Sequence, residues 1–152
     1  LNHHQRLNVL GALLVSPCIK RIRLTIRSYQ TSLGSIHAIA FLNHLLHLIP
    51  GQIVLVWDNH KIHVCPQTQK FIKQHCDRLH VYRFPTYAPE LNPVEHLWDD
   101  LREKSFHNCV FDSIDALEYH LEQALAAFEK DSQRAKSITH WPWIINVLSN
   151  AN

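Results

Sequence analysis

Methionine is absent from the 152 residues, and no Asp or Glu stands before position 58. Leu1 is therefore not an ordinary initiator, and the chain reads either as the product of an unusual start codon or as a piece of something longer. Any chemistry that needs carboxylates must draw them from the second part. Up to Trp57 there are five basic residues, Arg6, Lys20, Arg21, Arg23 and Arg27, whereas from Asp58 onward ten basic residues meet 13 acidic ones. The bland net charge of +2 thus hides parts carrying +5 and −3, an asymmetry of the kind that points to function. Charged residues are scarce at 18%, against roughly 25% in an average soluble domain, and 13 histidines fill many polar positions instead. The four cysteines, Cys18, Cys65, Cys76 and Cys109, form no CxxC pair, and no secretory leader is recognisable, which favours a reducing cytoplasm over a disulfide framework. No apolar run approaches the roughly 20 residues of a membrane helix, so a soluble protein without a membrane partner is expected. A hydrophobic content of 46% over this length suffices for one core, and a single domain over 1–152 is expected.

Leu7 to Ser16 is rich in Leu and Val and reads as a strand buried, or nearly so, on both faces. From Ile19 to Arg27 the pattern alternates, with Arg21, Arg23, Thr25 and Arg27 on one face and Ile22, Leu24 and Ile26 on the other. This is a half-buried strand, and Pro17-Cys18 suggests a hairpin between the two. The basic face suits either a phosphate backbone or plain solvation. Ser35 is expected to cap a helix to about Ile49, with Ile36, Ile39, Leu42, Leu45, Leu46 and Ile49 inward. His37, His44 and His47 fall on its other side, where they read as surface polarity rather than as metal ligands.

Ile53-Val54-Leu55-Val56 is a short apolar run ending in Trp57-Asp58-Asn59, the pattern of a central strand that delivers a carboxylate at its carboxyl end. A helix from about Pro66 to Cys76 and a strand from Leu79 to Phe84 follow, an order that implies a parallel crossover. A proline-punctuated loop then leads to a helix starting at Pro93, with Asn92 placed to cap it and Val94, Leu97, Trp98 and Leu101 inward. Another helix, capped near Asp112 or Ser113, spans about Ser113 to Phe128, with Leu117, Leu121, Ala124, Leu125 and Phe128 inward, and the tail from Ile138 to Leu148 should pack back.

Two acids carry the chemical interest. Asp58 ends a strand, and Glu95 lies in the first turn of a helix reached from the next strand, so both are placed to point into one crevice. Carboxylates brought together repel, and a hard divalent cation bound through oxygen relieves them. Each acid also has a structural alternative: Glu95 completes a capping box with Asn92, and Asp58 opens an Asx-turn.

The words around these acids are longer than either alternative needs. Asp58-Asn59-His60-Lys61-Ile62-His63, followed by Phe84-Pro85-Thr86-Tyr87-Ala88-Pro89-Glu90-Leu91-Asn92-Pro93-Val94-Glu95-His96-Leu97-Trp98, resembles the catalytic core of DDE transposases of the mariner-like superfamily, in its bacterial insertion-sequence branch. The resemblance runs from about Leu7 to at least Phe106. It implies an α/β, ribonuclease-H-like fold, a mixed sheet flanked by helices. It also implies that Asp58 is the second and Glu95 the third acid of a catalytic triad binding Mg²⁺ or Mn²⁺. Such enzymes cut a phosphodiester at the transposon end and use the freed 3′-hydroxyl to attack target DNA, chemistry a metal pair suits without a nucleophilic side chain. Asn59 and His63 match motif positions and are expected to shape the site or approach phosphate, unless they form a buried polar pair. Tyr87 either stacks on a base or packs under its own prolines, and Trp98 is core.

The family's first Asp stands on the first strand of its fold, and nothing before Asp58 can replace it. The expectation is a transposase core truncated at its amino terminus, lacking that strand and the helix-turn-helix region that reads transposon ends. It would be inactive alone, with DNA, itself or the absent part as partners. Two other classes stay open. One is a zinc module using His60, His63 and Cys65 with His75 or Cys76. The other is a non-catalytic DNA-binding remnant using the face of Arg21, Arg23 and Arg27.

Overall fold

A computed structural model of the protein describes residues 6–16 and 22–149. The chain divides into two compact units, one made of Leu1–Ser28 with Pro93–Asn152 and the other of Tyr29–Asn92.

In the first unit, β1 (Asn8–Val15) pairs with β2 (Ile22–Tyr29). The residues between them, including Arg21 and the Pro17-Cys18 hairpin signal, lie outside the described residues. Every residue of β1 is partly buried. In β2 the alternation holds, for Ile22, Leu24 and Ile26 pack against the apolar cluster while Arg23 and Arg27 are exposed. That cluster is formed by Leu97 and Leu101 of α4 (Pro93–Lys104), Leu121, Ala124, Leu125 and Phe128 of α5 (Ile114–Lys130), and Ala135 and Ile138 of α6 (Ser132–Thr139). Trp98 packs on it from the β1 side. Its indole approaches Gly11 so closely that a Cβ there would lie 2.9 Å from Cζ2, so β1 reaches α4 only because position 11 has no side chain. Ser113 caps α5 by accepting from the Ala116 amide at 3.1 Å, as its position suggested.

The helix α6 has no counterpart in the sequence reading. Its residues, SQRAKSIT, carry no apolar period. It starts because the Asp131 carboxylate accepts from the Arg134 amide at 3.0 Å, and it holds because Asp100 on α4 pairs with the Arg134 guanidinium and with Lys104. Arg134 also lies over the Phe128 ring, 5.4 Å from its centroid. The tail forms α7 (Pro142–Ser149), where Ile144 is buried and Trp141 meets His96 edge-on at 4.7 Å.

The second unit contains α1 (Ser35–Leu48), β3 (Ile53–Trp57), α2 (Lys61–Val64), α3 (Pro66–Gln74) and β4 (Leu79–Arg83). β3 and β4 are parallel, in a register from Ile53 opposite Leu79 to Trp57 opposite Arg83, as the order strand, helix, strand requires. Two details of α1 correct the expectation. Gly34, not Ser35, is the cap, and the His37 imidazole reaches back to accept its amide at 2.9 Å. Ile36 is 72% exposed, while Ala38 and Phe41 join Leu42, Leu45 and Leu46 inside. Two residues along a helix turn the side chain by about 200°, so Ile36 and Ala38 cannot share a face. The end of α1 is closed by Arg78, whose guanidinium donates to the carbonyls of Leu46, Ile49 and Gly51. No described helix is long and apolar enough to cross a membrane.

Candidate active site

The parallel ladder ends where Phe84 donates its amide to the Trp57 carbonyl at 2.9 Å. The chain leaves β3 there, and the next residue is Asp58. Asn59 turns back to the neighbouring strand and donates from Nδ2 to the Phe84 carbonyl at 3.0 Å, fastening the carboxyl ends of β3 and β4. Asn59 is exposed and does not bond His63, so the two are not a buried polar pair.

Asp58 is held by one of its oxygens. Oδ1 accepts from the His60 amide at 2.9 Å, the Asx-type contact, and from His63 Nδ1 at 2.7 Å. Among the described residues nothing engages Oδ2, and the Asp58 side chain is 48% exposed. The hydrogen bond from His63 does most to hold the carboxyl below its ordinary pKa; burial opposes it, and the His60 amide and both imidazoles assist. Asp58 is therefore an anion with one oxygen fixed and one open.

His63 reaches this position through a short relay. His60 begins α2, its Nδ1 facing the Ile62 amide. Three residues on, the His63 ring lies flat on the Trp57 indole, with centroids 4.1 Å apart and an interplanar angle of 8°. Two side chains of α3 fix the backbone beneath it. Thr68, fully buried, donates to the Ile62 carbonyl at 2.7 Å, and Gln69 donates to the His63 carbonyl at 2.7 Å. Thr68 and Gln69 were absent from the sequence reading, and Trp57 entered it only as the end of a strand. The motif signals end at His63, and only the return of α3 over α2 reveals the supports.

Glu95 lies in the first turn of α4 and is exposed, with no described partner. Pro93 opens that helix, as expected. Asp58 and Glu95 belong to different units, each described within its own. A hard cation needs anionic oxygens that are not already saturated, and both carboxylates present them. Taken singly, each carboxylate has the donor type that Mg²⁺ or Mn²⁺ takes.

Tyr87 does not pack under its prolines. It is 96% exposed and sits at φ 60°, a left-handed conformation that costs a non-glycine residue about 1–3 kcal/mol. Arg23 and Arg27 are exposed on β2, whereas Arg21 lies outside the described residues. The zinc alternative is not assembled. Cys65 Sγ faces Thr68 and the Ile62 carbonyl, His75 stacks on Phe71 at 4.2 Å, and Cys76 is exposed. Among the described residues no three His, Cys, Asp or Glu side chains gather around a point, and the histidines of α1 are no exception.

A family model described as DDE superfamily endonuclease matches residues 1–118. Among solved structures, the catalytic domain of Mos1 mariner transposase superposes with a TM-score of 0.66 at 13% identity, covering 96% of this chain and 79% of that chain. The same catalytic domain solved with Raltegravir and Mn gives 0.66 at 14% identity, over 96% and 80%. The Mos1 strand transfer complex gives 0.64 at 16% identity, covering 84% of this chain but 37% of that one. These likenesses show the fold, which is ribonuclease-H-like with its strands in small sheets. No curated protein gives a significant sequence match.

Proposed function

Because this chain belongs to the DDE superfamily of endonucleases, we propose that it serves DNA transposition, as one catalytic domain of a bacterial insertion element acting at transposon ends. The observation that carries the reading is Asp58: a carboxylate at the carboxyl end of a parallel strand, with Oδ1 anchored and Oδ2 open. Asp58 and Glu95 are the two residues here that would hold Mg²⁺ or Mn²⁺. Mos1 structures with each of these metals support that choice. When bound, such ions supply charge stabilisation to the attacking and leaving oxygens of a phosphodiester displacement.

The chain's own residues bind and orient. Arg23 and Arg27 offer charge to a phosphate backbone, and Asn59 fixes the strand ends beside Asp58. Tyr87 offers an uncovered ring to a base, a use that would account for its strained backbone. Complexes of Mos1 with a transposon end and in strand transfer support DNA as the partner. No acid precedes Asp58, so on this reading the first carboxylate of the implied triad lies outside these 152 residues, and the polypeptide alone should not cleave.

The test pairs Mn²⁺ binding with cleavage. Weak Mn²⁺ binding, lost in Asp58→Asn and in Glu95→Gln, is expected together with no nicking of transposon-end DNA. Tight stoichiometric zinc, or Mn²⁺ binding untouched by both substitutions, would overturn the metal assignment. Metal-dependent nicking abolished by Asp58→Ala would overturn the inactivity alone.

A further inference from the structure

Within the second unit, three consecutive constraints converge on one carboxylate oxygen. The Trp57 indole sets the plane of the His63 ring by parallel stacking at 4.1 Å. Thr68 and Gln69 hold the carbonyls of Ile62 and His63, so the backbone that carries the ring cannot drift. The ring then meets Asp58 Oδ1 at 2.7 Å, on an oxygen that already accepts from the His60 amide. An ionised carboxylate has no proton to give, so the proton in this contact sits on Nδ1. Both donors thus hold Oδ1, while Oδ2 meets no donor among the described residues on a side chain that is half-exposed.

We propose that His63 is a positioning residue for Asp58, acting through Nδ1–H to fix the carboxylate so that Oδ2 is presented to a divalent cation. The inference rests on the metal reading above and assigns the motif histidine a role outside the cation's own ligands and away from phosphate. Partners that orient a metal-binding side chain are typically worth about 10–100-fold in metal affinity. The stack on Trp57 serves to aim the donor, so the donor and not the aromatic ring is what the metal should sense.

That separation makes the test. His63→Phe keeps a flat ring against Trp57 and removes the donor. His63→Asn loses the stack but places an amide N–H near the former Nδ1. Mn²⁺ affinity of the whole chain, read from the free-ion electron paramagnetic resonance signal, should fall about tenfold or more in His63→Phe and stay within about threefold in His63→Asn. Circular dichroism checks that each variant folds. Should the Phe variant fail to fold, His63→Ala replaces it and the same rescue by Asn is expected. In the metal-free chain, long-range proton–nitrogen NMR should show the His63 proton on Nδ1, and Asp58→Ala should release that preference. Equal affinities, a larger loss in Asn than in Phe, or an Nε2–H form of His63 would each overturn the positioning role. No Mn²⁺ binding by the unaltered chain would instead overturn the metal reading, and this inference with it.

Discussion

Replacing Thr68 with Val changes almost nothing in volume and removes one hydroxyl from a site that water does not reach. Thr68 is 0% exposed, and its Oγ1 donates to the Ile62 carbonyl at 2.7 Å. The same carbonyl also receives a weaker contact from Cys65 Sγ at 3.3 Å, so it would be under-satisfied rather than orphaned. Loss of a buried hydrogen bond whose partner stays behind costs about 1–3 kcal/mol, and the remaining thiol contact places this case near the lower end. For a chain of this size 1 kcal/mol moves the melting midpoint by roughly 2–4 °C, so Thr68→Val should lower it by a few degrees. Thr68→Ser, which keeps the hydroxyl and drops a methyl, separates the polar cost from packing. Urea titration followed by tryptophan fluorescence, with circular dichroism as a second probe, measures both variants. The reasoning predicts a larger loss in Val than in Ser. It is refuted if Val matches the parent, or if Ser is the worse of the two, since the methyl and not the hydrogen bond would then hold α2 on α3.

Three further outcomes follow from contacts in the first unit. Gly11→Ala drives a methyl to 2.9 Å from the Trp98 ring and should cost about 1–3 kcal/mol of overpacking; pairing it with Trp98→Phe in a double-mutant cycle should recover part of the loss. Desolvation by burial raises the pKa of Asp100, but hydrogen bonds and charge from Lys104 and Arg134 outweigh this and leave it lowered. A carboxyl lowered in the folded state contributes stability that is present above the unfolded pKa, about 3.9, and is lost as pH falls through the folded value. Asp100→Asn should therefore be less stable at neutral pH yet flatter in acid, and an unchanged acid limb in urea melts from pH 7 to 3 would count against the pair. Arg23→Ala with Arg27→Ala should weaken nonspecific duplex binding and reduce the slope of log affinity against log salt by about 1–2; an unchanged slope would remove β2 from the DNA surface.

What the sequence made legible depended on the range of the interaction. The parallel crossover was readable because the apolar run Ile53–Trp57 and the strand at Leu79–Arg83 bracket a helix opened by Pro66. The Ser113 cap was readable because it is a contact three residues long. Ile36 was misplaced because the apolar stripe of α1 begins at Ala38, and alanine is a weak signal beside isoleucine. Helix α6 was invisible for a different reason. It is held by Asp100, 34 residues away, through Arg134, and a side-chain pair at that distance leaves no period in the chain. The supports of the site are hidden in the same way: Thr68 and Gln69 matter only because α3 folds back over α2.

Asp58 shows why the structural and the chemical readings of an acid need not compete. The Asx-type contact to the His60 amide exists, so the modest reading of Asp58 was right as far as it went. It uses Oδ1, and His63 uses the same atom. Asp100, in contrast, spreads its acceptors over both oxygens, with Lys104 on Oδ1 and Arg134 on Oδ2. Asp100 thus serves as an internal control for Asp58 in the same chain: both carboxyls are lowered, yet only one keeps an oxygen in reserve. A lowered pKa by itself therefore does not mark the site. On the function proposed above, the marker is the unspent acceptor at the end of a parallel strand, where a cation would complete what two donors have begun.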